Sequence, residues 1–178
     1  MQSEDTIIHI EWSGPHTLKE VLQFNGPIDF GIYQIYGGHP IYGTDTLLYI
    51  GRAEKRNFSI RVPEHLWCPV NQDSGRLNIH IGRLIGLETP DNDTWERHIR
   101  WAERLLILAH QPAGNSQKEL GGMESELHNV HVVNWGQYRS LMPEVSGARW
   151  TDRFDHIPYG SFYKEGSLRQ LTKTETVT

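Results

Sequence analysis

Gly31-Ile32-Tyr33-Gln34-Ile35-Tyr36, followed after a break by Leu47-Leu48-Tyr49-Ile50-Gly51, is the stretch on which the fold turns. The first run alternates its side chains with the period of two that a strand imposes, and the second is short, apolar and aromatic. Between them Gly37-Gly38-His39-Pro40 breaks the pattern and Gly43-Thr44-Asp45 carries turn chemistry. The expectation is two antiparallel strands with a loop at Gly37 to Thr46. Gly31 and Gly51 read, without chemistry, as places where a strand edge needs room or a turn needs a positive φ.

Upstream, Thr6 to Trp12 is β-branched and apolar enough for a strand, and His16 to Phe24 reads as a short helix after the Ser13-Gly14-Pro15 turn. Downstream, a helix containing Arg61 to Trp67 is expected, with Pro63 in its first turn. In the segment Arg76 to Leu87, Leu77, Ile81, Leu84 and Ile85 lie at helical spacing before the stop at Glu88-Thr89-Pro90, which predicts another helix. The strongest helical pattern follows. Asp93-Thr94-Trp95-Glu96 has the form of a capping box, and Trp95, Ile99, Ala102, Leu106 and Ala109 then fall on one stripe. This helix should end near Gln111, because Pro112 cannot extend it. Val130 to Trp135 reads as a strand, Arg149 to Phe162 as an aromatic-rich irregular segment, and residues 164–178 as a loose tail.

With 178 residues and 20.5 kDa, the chain is sized for a single domain. A hydrophobic content of 37% against 22% charged residues supplies a core and excludes wholesale disorder. No apolar run approaches the roughly 20 residues of a membrane helix, and the acidic start is unlike a signal peptide, so the cytoplasm is the expected compartment. Cys68 stands alone, which rules out an intramolecular disulfide and leaves any zinc site mainly to histidine or carboxylate. The net charge of -5 opposes a polyanionic partner in total but not in distribution. Residues 1–51 hold one Lys and six Asp/Glu, whereas residues 52–61 alone hold four basic groups against one acid. That local density suits a polyanion, and equally a solvated basic loop.

The motif set resembles a known family. Gly31-Ile32-Tyr33 and Tyr49-Ile50-Gly51 look like the paired tripeptides that name the GIY-YIG nucleases, and the elements expected after them appear in order: Arg61 and His65 four apart, Glu103 with Leu106-Ile107, then Pro112 and Asn115. The resemblance covers about 85 residues, from Gly31 to Asn115, and is most similar to the restriction endonucleases of the family. It implies a small α/β (α+β) fold with a three-stranded antiparallel sheet flanked by helices. The core would span about residues 28–118, with a strand-helix extension at 1–27 and a C-terminal extension at 119–163. It implies cleavage of phosphodiester bonds in DNA, most simply double-stranded, with Mg²⁺ or Mn²⁺. Carried over by position, Tyr33, Tyr49, Arg61, His65, Glu103 and Asn115 are the catalytic set, and Glu103 is the metal ligand.

The chemistry asks for such residues on independent grounds, since phosphodiester hydrolysis needs an activated water, charge stabilisation at phosphorus and help for the leaving oxygen. Glu103 lies only about 40° from Ile99 and about 60° from Leu106 around the helix, at the half-buried edge of the stripe. A carboxylate there needs a cation, which a divalent ion supplies, or, in the bland reading, Arg100 or Arg104. Arg61 suits charge on phosphoryl oxygens, and His65 one turn on could orient Tyr33 or move a proton, or be an ordinary surface histidine. Tyr33 is the candidate general base, provided a metal or Arg61 lowers a phenol pKa that is normally near 10. Strand tyrosines otherwise serve packing, and Asn115 otherwise closes the Pro112-Ala113-Gly114-Asn115 turn. Arg52, Lys55 and Arg56 are candidate contacts to the DNA backbone.

With no zinc finger or helix-turn-helix in the sequence, target reading falls to the extensions and the Gly37 to Thr46 loop, and a symmetric double-strand cutter acts as a homodimer or by successive nicks. A structure-specific, homing or repair nuclease of the same type is the nearest alternative. A non-catalytic nucleic-acid-binding module on the same fold is another. A histidine-rich hydrolase of small substrates lacks any His-Glu-x-x-His spacing to support it.

Overall fold

A computed structural model of the chain describes residues 5–65, 77–86, 90–115 and 124–150. Six strands and three helices carry the architecture: β1 (Thr6–His16), α1 (Leu18–Val21), β2 (Gly31–His39), β3 (Gly43–Ala53), α2 (Phe58–His65), β4 (Asn78–Ile85), α3 (Asn92–His110), β5 (Val130–Gly136) and β6 (Glu144–Ser146). The strands form one sheet in the order β3-β2-β4-β1-β5-β6, curled into a half-barrel. Most neighbours are antiparallel, and β1 with β5 is parallel.

This overturns the expected small three-stranded antiparallel sheet flanked by helices. The cause lies in residues 78–85, predicted as helix and found as strand. β4 inserts between β2 and β1, pairing Tyr33 with Ile81 on one side and Trp12 with Gly82 on the other. It thereby joins the N-terminal strand to the hairpin, and β1 in turn recruits β5. The N-terminal segment and the strand at Val130 are therefore part of the sheet. A strand covered on both faces reads as a continuous apolar run, and here the helical spacing of Leu77, Ile81, Leu84 and Ile85 masked the Ile79-Ile81 alternation.

The two faces bury separate cores. On one, α3 lays Ile99, Ala102, Leu105 and Leu106 over Ile8, Ile10, Ile32, Ile50 and Val132. On the other, Val21 of α1 with Phe58 and Val62 of α2 covers Tyr33, Ile35, Ile79 and Ile81. Alternation in β2 thus sends Ile32 and Tyr33 into opposite cores.

Several boundaries moved. The predicted helix at His16 to Phe24 shrinks to the four residues of α1, capped by a box between Thr17 and Glu20. The cap of α3 is Asp91, two residues before the expected box, and its side chain accepts from the Thr94 amide at 3.0 Å. α3 ends where expected, with Gln111 left-handed at φ 45. α2 begins at Phe58, so Pro63 falls in its second turn rather than its first. β2 and β3 run further than expected and shorten the loop between them to residues 40–42. Gly147–Trp150 forms a 3₁₀ turn, and the rest of the predicted aromatic-rich segment, with the tail at 164–178, lies outside the described residues. Among the described residues no helix is long and apolar enough to cross a membrane.

Candidate active site

Strand β3 forms one edge of the sheet, and the predicted site gathers around its last residues, Tyr49 to Ala53. Pairing sets Tyr33 opposite Gly51 and Ile35 opposite Tyr49. The Tyr33 ring lies across Gly51: a Cβ there would stand 2.5 Å from the Tyr33 hydroxyl oxygen and 2.6 Å from Tyr49 Cε1. The two rings sit 6.1 Å apart, tilted by 34°. The glycine of the second tripeptide is therefore required by the tyrosines of both. Gly31 has a similar reason, since its φ is +143 and a Cβ would run into the Gly82 carbonyl oxygen.

An edge strand leaves alternate amides and carbonyls unpaired, and in β3 two of the predicted site residues cover them. Asn115 is buried, accepting from the Ile50 amide at 3.1 Å and donating to the Ile50 carbonyl at 3.0 Å, as a neighbouring strand would. Gly114 donates to the Leu48 carbonyl at 2.6 Å. Two residues further on, Arg61 Nε donates to the Arg52 carbonyl at 3.3 Å. Asn115 thus does more than close its own turn: it fixes the strand between Tyr49 and Gly51.

Glu103 is 9% exposed, at the edge of the α3 stripe where the wheel placed it. A cation that meets it is Arg52, which the sequence did not single out as its partner. Arg52 also lies 3.5 Å from Glu54, Glu54 lies 3.6 Å from Arg100, and Arg100 lies 3.8 Å from Glu96. A line of alternating charge results. Burial works against the Arg52 charge, but Glu103 and then Glu54 outweigh it and hold the guanidinium more firmly protonated than usual.

Tyr33 is fully buried, and this decides its protonation. Burial first, then Tyr49, pushes the phenol well above its usual range, with Glu103 and Glu64 adding to the rise and Arg61 opposing it. So Arg61 and Glu103, from α2 and α3, both act electrostatically on the same hydroxyl. At neutral pH that hydroxyl keeps its proton: of the metal or Arg61 expected to lower its pKa, Arg61 does not outweigh burial.

The basic patch is largely answered within the fold. Arg56 and Arg61 share Glu64 at 2.5 and 2.9 Å, and Arg52 is held by Glu103, while Lys55 is exposed. The backbone of His65 ends α2, and its side chain lies outside the described residues. Glu54 and Glu64 were missed because the sequence does not say which acids meet Arg52 and Arg61. Their only signal was i+2 on a strand and i+3 on a helix.

Among the described residues, no group of three or more His, Cys, Asp or Glu side chains comes together. What Glu103 offers is the sparser arrangement, one carboxylate already facing a positive charge, with Glu54 on the same guanidinium. Mg²⁺ often takes one or two carboxylates and completes its shell with phosphate oxygens and water. The residues fit that mode. Compared with protein-family models, curated proteins and solved structures, the chain matches none. The likeness to GIY-YIG nucleases rests on its residues alone.

Proposed function

We propose that the chain is a divalent-metal-dependent DNA endonuclease of the GIY-YIG type, acting as a restriction-type cutter of double-stranded DNA. The observation that carries this reading is the gathering of the motif residues, distant in sequence, along the end of β3: the Tyr33 and Tyr49 rings lie 6.1 Å apart beside Gly51, Arg61 donates to the Arg52 carbonyl, Glu103 pairs with the Arg52 side chain, and Asn115 bonds the backbone of Ile50.

Glu103 would hold the metal, which when bound supplies an activated water and neutralises charge at phosphorus. Arg61, whose Nε donates to the Arg52 carbonyl at the edge of β3, would stabilise charge on phosphoryl oxygens. Neutral Tyr33 would offer its proton as a donor, and it would take up the role of base only if that proton were drawn off. Asn115 keeps β3, and with it Tyr49 and Gly51, in place. Arg52, Lys55 and Arg56 would meet the DNA backbone, the two arginines by exchanging their carboxylates for phosphates. Cutting both strands would take a homodimer or two successive nicks.

Incubating wild type and Glu103→Gln with supercoiled plasmid, in Mg²⁺ and in EDTA at low salt, tests the reading. Discrete fragments should appear only with wild type and metal, while the variant keeps DNA binding. Binding without cleavage in any divalent metal would mark a non-catalytic module.

A further inference from the structure

Far from the site, the β2–β3 hairpin ends in two large apolar side chains that are mostly exposed. Ile41 is 82% exposed and Tyr42 68%, and among the described large apolar residues only Ile28, at 69%, is comparable. The tip stands clear of the body, since a Cβ added at Gly38 or Gly43, on either side of it, meets no atom within 4 Å. It is nevertheless held in shape. His39 Nδ1 accepts from the amides of Ile41 and Tyr42, both at 3.2 Å, and the His39 ring stacks on Tyr42 at 4.5 Å. The stem is anchored too, by the ion pair of Asp45 with Arg139 and by that guanidinium lying 4.1 Å over the Tyr36 ring.

We infer that Ile41 and Tyr42 form a wedge that stacks against bases of the DNA held at the β3 edge; this rests on the nuclease reading above. The site and the tip lie on the same two strands. Tyr33 and His39 are six residues apart, about 20 Å of strand, so a duplex running along the hairpin meets the tip about six base pairs from the site. A preordered projection of one aliphatic and one aromatic side chain is what unstacking a base step requires, and it loses little freedom on insertion. A second protein copy is the poorer occupant. Two side chains at the end of a narrow hairpin fall far short of the roughly 1,000 Å² that a stable protein interface buries. Because every base has a π-face, the wedge acts on mixed sequence as well as on a preferred site.

The test uses full-length Glu103→Gln, which leaves DNA uncut, with and without Ile41→Ser and Tyr42→Ser, on a mixed-sequence duplex carrying 2-aminopurine. Since both side chains are exposed, thermal unfolding should be unchanged by their replacement. The parent should brighten the probe at least about twofold on saturation, and the hairpin variant should bind about tenfold or more weaker without brightening it. Equal binding and brightening would overturn the wedge alone. So would a dimeric parent that becomes monomeric in the hairpin variant with its DNA binding intact, which would make the tip a contact between copies. Absence of duplex binding by the parent itself would sink the nuclease reading and the wedge with it.

Discussion

Gly51 and Tyr33 form one packing unit, in which the hydroxyl needs the space that a missing side chain leaves. Replacing Gly51 by Ala puts a methyl 2.5 Å from that hydroxyl and 2.6 Å from Tyr49, with both rings packed in or against the second core. Overpacking of this kind costs about 1–3 kcal/mol, and urea unfolding of Gly51→Ala should show it, together with a loss of cleavage as the rings are displaced. An unchanged midpoint would mean the rings are loosely held. Tyr33 itself carries a kinetic signature. Because burial and Tyr49 keep the phenol well above its usual range, a base role makes the rate rise about tenfold per pH unit through neutrality. Tyr33→Phe should remove that slope; a slope that survives in the variant would assign the proton to another group. The tyrosines, glycines, Arg61 and Glu103 could be singled out in the sequence because their order along the chain resembles a motif. Arg52 as the partner of Glu103 could not, since which of several arginines meets a half-buried carboxylate depends on where β3 lies against α3. The Asn115 clamp was hidden for the same reason, because only a strand left at the sheet edge needs it.

At the scale of elements, periodicity was decisive where it was long and misleading where it was short. The stripe from Trp95 to Ala109 spans four turns, and no other element competes with a helix for that pattern. Eight residues at 78–85 do not distinguish the periods, because Leu77, Ile81, Leu84 and Ile85 satisfy one while Ile79 and Ile81 satisfy the other. What decides for a strand is tertiary: both neighbours, β2 and β1, offer ladders, and both faces are then covered. That position has a measurable consequence. Amides of β4, bonded on either side in the middle of the sheet, should exchange only through global unfolding, while the three-residue edge strand β6 exchanges by local opening. Native-state hydrogen exchange read peptide by peptide checks this. Fast exchange across Ile79 to Gly82 would remove β4 from the centre of the sheet and, with it, the link between β1 and the hairpin.

Over the whole molecule, histidines tie the layers together in a way that sets its acid limit. His110, at the end of α3, takes Leu106 O on Nδ1 at 2.8 Å and accepts from the Met142 amide on Nε2 at 2.8 Å, so it joins that helix to the segment between β5 and β6. His80 in β4 meets the Gln137 carbonyl through Nδ1 at 2.9 Å, and its buried Nε2 has no hydrogen-bond partner in the described structure. Burial lowers the pKa of both below 6.5, with backbone acceptors opposing it only in part, and burial shifts His16 and His98 the same way. A proton added to Nε2 would face an amide N–H in the one case and an acceptor-free interior in the other. The sign follows from linkage: with the folded-state values below the unfolded ones, the stabilisation is complete above pH 6.5 and is lost as the pH falls through the folded-state values. The carboxylates with lowered values, Glu20 and Asp91, act further down, below 4.5 and 3.8. Urea unfolding should therefore be flat from about pH 8 to about pH 6.5 and weaken between there and about pH 5, before carboxylate protonation begins. His110→Gln, which cannot titrate and keeps one donor and one acceptor, should lower stability at the upper pH and reduce the slope below it. An undiminished slope in that variant would move the acid sensitivity to His80 and the centre of the sheet, where a His80→Gln variant would have to remove it.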